Sequence, residues 1–250
     1  MIMIKTAHQI ELMAAAGKIL TACHKELRKI IRPGITTLQI DHFADDFIQS
    51  HGAQAEQKGY QGYPFATCAS VNDEICHGFP TQAPLREGDI VTIDMVVNLN
   101  GWLADSAWSY PVGQISERAE KLLKVTKECL YSGIDKAVIG NRLGDISHAV
   151  QTHAESHGFS VVREFTGHGI GCNMHEDPPV LHYGHPHKGV KLCEGMVFTI
   201  EPMINLGSYA LKIDQNKWTA RTVDGSLSAQ YEHTLAITKN GPLILTKQDS

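Results

Sequence analysis

The sequence predicts an α+β fold made of two similar halves, about residues 1–113 and 114–250, packed around a pseudo-twofold axis. Three observations lead there. The apolar pattern runs helix, helix, strands, and then repeats that order. The stretches "EGDIVTID" (Glu87 to Asp94) and "EGMVFTIE" (Glu194 to Glu201) both open on Glu-Gly, run through Thr-Ile and close on a carboxylate, 107 residues apart. At an offset of 106, "PGITTLQIDHFADDFIQSHG" lies over "IGNRLGDISHAVQTHAESHG". Gly34/Gly140, Ile40/Ile146, His42/His148 and Ser50-His51-Gly52/Ser156-His157-Gly158 are identical there. Two agreements at nearly one register point to a duplication, and a site between the halves draws on both.

The elements follow in order. Thr6-x-x-Gln9 reads as a capping box, with Ile10, Met13, Gly17, Leu20, His24 and Leu27 at helical spacing as far as Arg32-Pro33-Gly34. A second helix spans Thr37 to Ser50, with Ile40, Phe43, Ala44 and Phe47 inward and Gly52 beyond its end. From Tyr60 to Tyr110 the pattern changes to short apolar runs cut by Gly, Pro and Asn; "TCASVN", "DIVTIDMVVNL" and "ADSAWSY" read as strands. Helices return over Ser116 to Lys136 and Asp145 to Ser156, the latter ending at Gly158. "VVREFTGHGIG", "MVFTIEPMI" and "AQYEHTLAIT" read as the strands of the second half.

A formal net charge of −5 argues against nucleic acid or an anionic membrane held by bulk electrostatics. Glu11 and its polar neighbours interrupt the apolar N-terminus, which reads as neither a signal peptide nor a membrane span. Six cysteines without a C-x-x-C pair suit reduced thiols in a cytosol.

Asp94 and Glu201 close apolar strand runs, where a carboxylate is costly to bury unless it is paired or bound to a cation. Asp105 and Glu232 stand on later strand-like runs, so each half supplies two acids. Any one of them alone reads as a solvated strand end or a turn cap; four placed pairwise by the repeat read as a set. His168 lies among Gly167, Gly169 and Gly171, which permit close backbone approach, and His77 and His175 sit in "EICHGFP" and "NMHEDPP". A lone His-Gly is more often structural than a ligand, but four carboxylates with an imidazole form an oxygen-rich set. That set suits a pair of divalent ions that activates water, not a cysteine-rich structural zinc. Neither a G-x-S-x-G nucleophile elbow nor a phosphate loop occurs. "HYGHPHKG", with His182, His185 and His187, reads as a solvated loop.

"VNDEICHGFP", "GDIVTIDMV", "ADSA", "TGHGIG", "MHEDP", "FTIEPM" and "SAQYEHT" stand in the order and spacing of the type I methionine aminopeptidases, and the chain resembles that family over nearly its whole length. The resemblance implies the pita-bread fold, with pseudo-twofold duplicated halves and a curved antiparallel sheet covered by helices. It implies a single metallo-aminopeptidase domain that hydrolyses the first peptide bond of nascent chains, releasing initiator methionine before a small second residue. Asp94, Asp105, His168, Glu201 and Glu232 would hold two divalent ions (Co, Mn, Fe or Zn), with Asp105 and Glu232 bridging. The ions would activate a hydroxide for attack on that bond. Glu201 would shuttle the proton, and His77 and His175 would contact substrate and steady the tetrahedral centre.

Tyr60, Tyr63, Cys68, Met174 and Trp218 fall at positions matching the methionine pocket. Three positions depart from the family: Met174 replaces a frequent aromatic, Val96 a frequent Thr or Ser, and Gln57 stands where some members have Cys. Lacking an N-terminal extension with zinc-binding cysteines, the chain is similar to the short bacterial form. The implied partners are nascent polypeptide N-termini, met by a cytoplasmic monomer with transient ribosome contact. Two rival readings fit the residues less well. A prolidase-like enzyme usually carries a further N-terminal domain, and a metal-free peptide-binding module would have lost ligands.

Overall fold

A computed structural model describes residues 1–248 of the chain. Helix α1 (Ala7–Ile30) starts on a capping box in which Gln9 N–H donates to Thr6 Oγ1 and Thr6 N–H to Gln9 Oε1. Helix α2 (Thr37–Ser50) starts on the equivalent box of Thr36 and Gln39. Strands β1 (Gln54–Ala55), β2 (Cys68–Val71), β3 (Glu74–Cys76), β4 (Ile90–Leu99) and β5 (Trp102–Pro111) complete the first half. The second half opens with α3 (Glu117–Ile134) and α4 (Leu143–Ser156). It continues through β6 (Ser160–Val161), β7 (Gly167–Gly169), β8 (Glu176–Val180), β9 (Val197–Ile200) and β10 (Met203–Asn205). It closes with β11 (Leu211–Ile213), β12 (Ala220–Thr222), β13 (Ser228–Gln230), β14 (His233–Thr238) and β15 (Gly241–Ile244).

The helix α4 begins two residues before the predicted start. Asp145 is not the cap: its carboxylate accepts from the N–H of extended Arg142 at 2.8 Å, which places it inside the first turn. Helices α2 and α4 end alike. His51 Nδ1 lies 2.8 Å from the Phe47 carbonyl and His157 Nδ1 2.8 Å from the His153 carbonyl. Ser50 and Ser156 donate to the same two carbonyls, and Gly52 and Gly158 then leave the helix at positive φ.

Two larger sheets carry the site. In the first, β4 pairs with β1 and β2 on one side and with β5 on the other. The β4–β5 hairpin closes on Asn100-Gly101, both at positive φ, so Leu99 faces Trp102 and the register is set for ten pairs. In the second, the order is β15-β14-β9-β7-β8. Three predicted strands are each broken in two. β9 and β14 pair as far as Ile200 with His233, β10 and β13 resume at Met203 with Gln230, and Glu201-Pro202 and Tyr231-Glu232 fall in the gaps. Pro202 has no N–H to continue the ladder, and the Glu232 N–H turns away to the Ala107 carbonyl on β5 at 2.9 Å. "VVREFTGHGIG" likewise divides into β6 and β7.

A seam joins the halves. Asp105 N–H donates to Thr234 Oγ1 at 2.9 Å, that hydroxyl donates to the Asp105 carbonyl at 2.8 Å, and Ser106 and Ser109 donate to the carbonyls of Glu232 and Gln230. One apolar core runs across it, from Leu20, Leu27 and Ile40 through Val91 and Ile93 to Ile146, Phe198 and Leu235.

His24 is buried where α1 crosses β5. Its Nε2–H faces the Ser106 carbonyl at 3.2 Å and its Nδ1 the Tyr110 hydroxyl at 2.7 Å. Burial lowers its pKa from 6.5 to about 4, the Ser106 carbonyl only partly offsetting it. The unfolded chain therefore binds this proton first, and the stability held by neutral His24 is full above pH 6.5 and lost as pH falls toward 4. His24→Gln is expected to remove up to about 3 kcal/mol of the acid-limb decline, read as denaturant stability measured across that range.

Candidate functional site

Asp94 lies mid-way along β4, opposite Ala107 on β5 and Cys68 on β2. It does not end the strand, because the apolar run continues to Leu99 on the far side of the site. Asp105 sits opposite Val96, two pairs along, so the hairpin sets the two carboxylates diagonally on one face, within reach of each other. Gln57 clamps the backbone there: its Nε2 donates to the Asp94 carbonyl at 3.2 Å, and its Oε1 accepts from Val96 N–H at 2.8 Å.

The second half supplies the other side. His168 is held in β7 by its N–H donating to Thr199 Oγ1 at 3.0 Å, and that hydroxyl donates to Glu201 Oε1 at 2.9 Å. The His168 Nδ1–H points at the Gly169 carbonyl at 3.0 Å. Its Nε2 is thereby turned to Asp105 Oδ2 and Glu201 Oε1, each 3.6 Å away. Glu201 N–H donates to His182 Nε2 at 3.0 Å, and Gln230 Nε2 lies 3.4 Å from Glu201 Oε2. Glu232 turns in at the gap before β14, and ligand-capable atoms of Asp105, His168 and Glu232 lie within 4.8 Å of one another.

β7 can approach β9 this closely only because it carries glycine. A Cβ on Gly167 would stand 2.4 Å from the Thr199 carbonyl oxygen. Gly167→Ala is therefore expected to push β7 and His168 off β9, costing about 1–3 kcal/mol by overpacking. Catalytic efficiency should fall more than tenfold, read by thermal melting and steady-state kinetics together.

The electrostatics call for cations. Asp105, Glu201 and Glu232 are buried and Asp94 is half-buried, and Asp94 Oδ1, Asp105 Oδ1 and Glu232 Oε1 find no hydrogen-bond partner among the described residues. Burial, then the neighbouring carboxylates, push Asp94 and Glu232 well above the usual carboxylate range. Burial raises Glu201 to about 7, against the pull of His168. Burial opposes a charge on His168, but the facing Asp105 and Glu201 outweigh it and lift the imidazole to about 9. The donor set therefore fits hard or borderline divalent ions: orphaned oxygens aimed at one another, with a single oriented imidazole.

Beside the acids opens a cavity of about 270 Å³. Its lining includes all the acids above and His168, with Tyr60, Tyr63, Cys68, His77, Met174, His175 and Trp218, and the three departing positions Gln57, Val96 and Met174 among them. Tyr63 is buried, with the Trp218 ring edge-on to it at 5.1 Å. His77 stands edge-on to Phe165 at 5.2 Å. His175 Nδ1 faces the Tyr60 hydroxyl at 2.9 Å, and its ring lies 4.4 Å from that of His168.

A model of metallopeptidase family M24 matches residues 11–239. The chain belongs to metallopeptidase family M24. It is 51% identical over 246 residues to a methionine aminopeptidase of Clostridium perfringens, covering 98% of this chain and 99% of that one. The crystal structure of methionine aminopeptidase from Rickettsia prowazekii superposes with a TM-score of 0.98 at 42% identity, covering 99% of this chain and 100% of that one. A prolidase from Pyrococcus furiosus shares the fold at a TM-score of 0.81 and 22% identity, this chain spanning 66% of it. The M24 chain thus has the pita-bread fold, and it is a metallo-hydrolase of the methionine aminopeptidase kind.

Three parts of the M24 site escaped the reading of the sequence. His182 is buried and accepts from the Glu201 N–H, and burial lowers its pKa to about 3; only His185 and His187 lie in an exposed loop. Nothing in "HYGHPHKG" marks one histidine as inward, since Pro and Gly surround all three. Phe165 and Met203 also line the cavity, and nothing in "VVREFTGHGIG" or at the end of "FTIEPM" marks either as facing it. Thr199 was legible, because two residues before Glu201 it shares that residue's face of the strand.

Proposed function

We propose that this M24 enzyme removes the initiator methionine from nascent polypeptides whose second residue is small. It acts in the cytoplasm as a monomer, with transient ribosome contact. The observation that supports this reading is one cavity in which a carboxylate–imidazole cluster adjoins a narrow apolar wall of Tyr63, Cys68, Phe165, Met203 and Trp218. Aromatic edges and sulfur suit an unbranched thioether, and a β-branched side chain fits such a wall poorly.

Asp94, Asp105, His168, Glu201 and Glu232 are the residues that would hold two divalent ions. Bound ions supply Lewis acidity, which polarises a peptide carbonyl and lets water attack it at neutral pH. Glu201 accepts the proton of the attacking water and delivers it to the departing amine. With the Tyr60 hydroxyl, 2.9 Å away, donating to His175 Nδ1, the imidazole keeps Nε2–H as a donor toward the oxyanion that develops on the carbonyl. His77 packs edge-on to Phe165 and Trp218 in the cavity lining and contacts the peptide backbone there.

The test is release of free methionine from Met-Ala-Ser and Met-Pro-type peptides, set against Leu- and Ala-initiated controls, with Mn, Co, Fe or Zn added. Selective cleavage of the methionine peptides supports the reading. Equal cleavage of all would refute methionine specificity, and no cleavage with any metal would favour a peptide-binding module.

A further inference from the structure

A second cluster of ligating side chains lies outside the catalytic cavity, where α4 ends against α3. One carboxylate oxygen of Glu128 and one ring nitrogen each of His153 and His157 lie within 4.8 Å of one another, all three half-buried. His153 Nε2 stands 3.0 Å from Glu128 Oε2. Lys124, itself mostly exposed, reaches only the other oxygen, at 4.0 Å. The two histidines are four apart on one helix face, with ring centroids 4.6 Å apart.

The histidine at the helix end has an obvious structural role, and the first half measures how much that role explains. His51 and His157 close their helices with the same Nδ1 bond to the carbonyl four residues back, and each lays its ring against the side chain there, stacked in the first case and tilted by 44° in the second. In α2 that side chain is Phe47, with rings 4.3 Å apart, so the cap needs only an aromatic partner. In α4 the partner is a histidine, and α3 brings a carboxylate to its Nε2. The cap accounts for His157 and not for the other two.

The cap also prepares His157 as a ligand. A carbonyl can only accept, so Nδ1 carries the proton and Nε2 keeps its lone pair, the hydrogen-bonding arrangement that orients metal-binding imidazoles. We propose that Glu128, His153 and His157 form a separate site for one zinc-class ion, completed by water and tying the end of α4 to α3. Two imidazoles and one carboxylate suit Zn, Co, Ni or Cu and not Ca or Mg. Ligand atoms on one tetrahedral ion lie about 3.4 Å apart, given metal–ligand lengths near 2 Å, so small side-chain rotations close the set.

The test is equilibrium dialysis of the full-length protein against buffered free Zn²⁺, with bound zinc counted per chain by elemental analysis. His153→Phe installs the residue that α2 carries and keeps the ring stack, so the helix end should survive. Glu128→Gln removes the carboxylate from α3 instead. Wild type is expected to bind one more zinc per chain than either variant, while peptide turnover of the three proteins is unchanged. Equal zinc counts and affinities in wild type and His153→Phe would overturn the proposal and leave Glu128–His153 as an ion pair.

Discussion

Asp105→Ala is expected to lower catalytic efficiency by about 10³-fold or more, since Lewis-acid stabilisation worth several kcal/mol depends on the ions it helps to hold. Its carboxylate sits at the centre of the cluster, 3.6 Å from His168 Nε2, with one oxygen orphaned and the charges of Asp94, Glu201 and Glu232 around it. Glu232→Ala should behave alike. The same geometry predicts an unusual companion result. In metal-free protein these carboxyls cannot all ionise without repelling one another and must take up protons instead, so removing one should leave the melting temperature unchanged or raised, although both residues are buried. A catalytic loss accompanied by a strongly lowered metal-free melting temperature would mean that the cluster is structural. Full activity after loosely held metal is removed would refute the ligand assignment outright.

Stripping the protein with a chelator is expected to abolish turnover and to make stability depend on pH in a specific way. Asp94 and Glu232 are pushed far up by burial and by neighbouring acids, and Glu201 rises to about 7 from 4.5. Their native-state pKa values are raised, so the metal-free fold binds more protons than the unfolded chain across that interval. The Glu201 contribution is full below pH 4.5 and lost as pH rises through about 7, opposite in sign to that of His24. An ion needs the deprotonated forms, so its binding at neutral pH must release protons. The rise in melting temperature on adding Mn²⁺ should be larger at pH 7.5 than at pH 5.5, and calorimetric heats should vary with the buffer's ionisation enthalpy. Heats identical in every buffer would show that the acids are already ionised in the free protein.

The helices were largely legible because each carries its own punctuation: Thr6/Gln9 and Thr36/Gln39 boxes at the starts, and Ser-His-Gly at two of the ends. The acids were legible because the duplicated segment writes a carboxylate into an apolar run twice. Their exact setting was not. Asp94 lies inside a ten-residue strand, while Glu201 and Glu232 lie where two paired strands part together, a tertiary event that neither segment encodes alone. Asn100-Gly101 between apolar runs signals a two-residue hairpin, and counting back from Leu99 and Trp102 places Asp94 diagonal to Asp105. His182 had no such signal, since its burial depends on where β9 passes the loop.

Central to the account is that acids from both halves meet around divalent ions in one cavity. Anomalous diffraction from crystals equilibrated with Mn²⁺ tests this most directly. Two peaks are expected, enclosed by Asp94 and Asp105 from the β4–β5 hairpin and by His168, Glu201 and Glu232 from the second half. Peaks that leave out Asp94 or Glu201, or no manganese in the cavity at all, would contradict it.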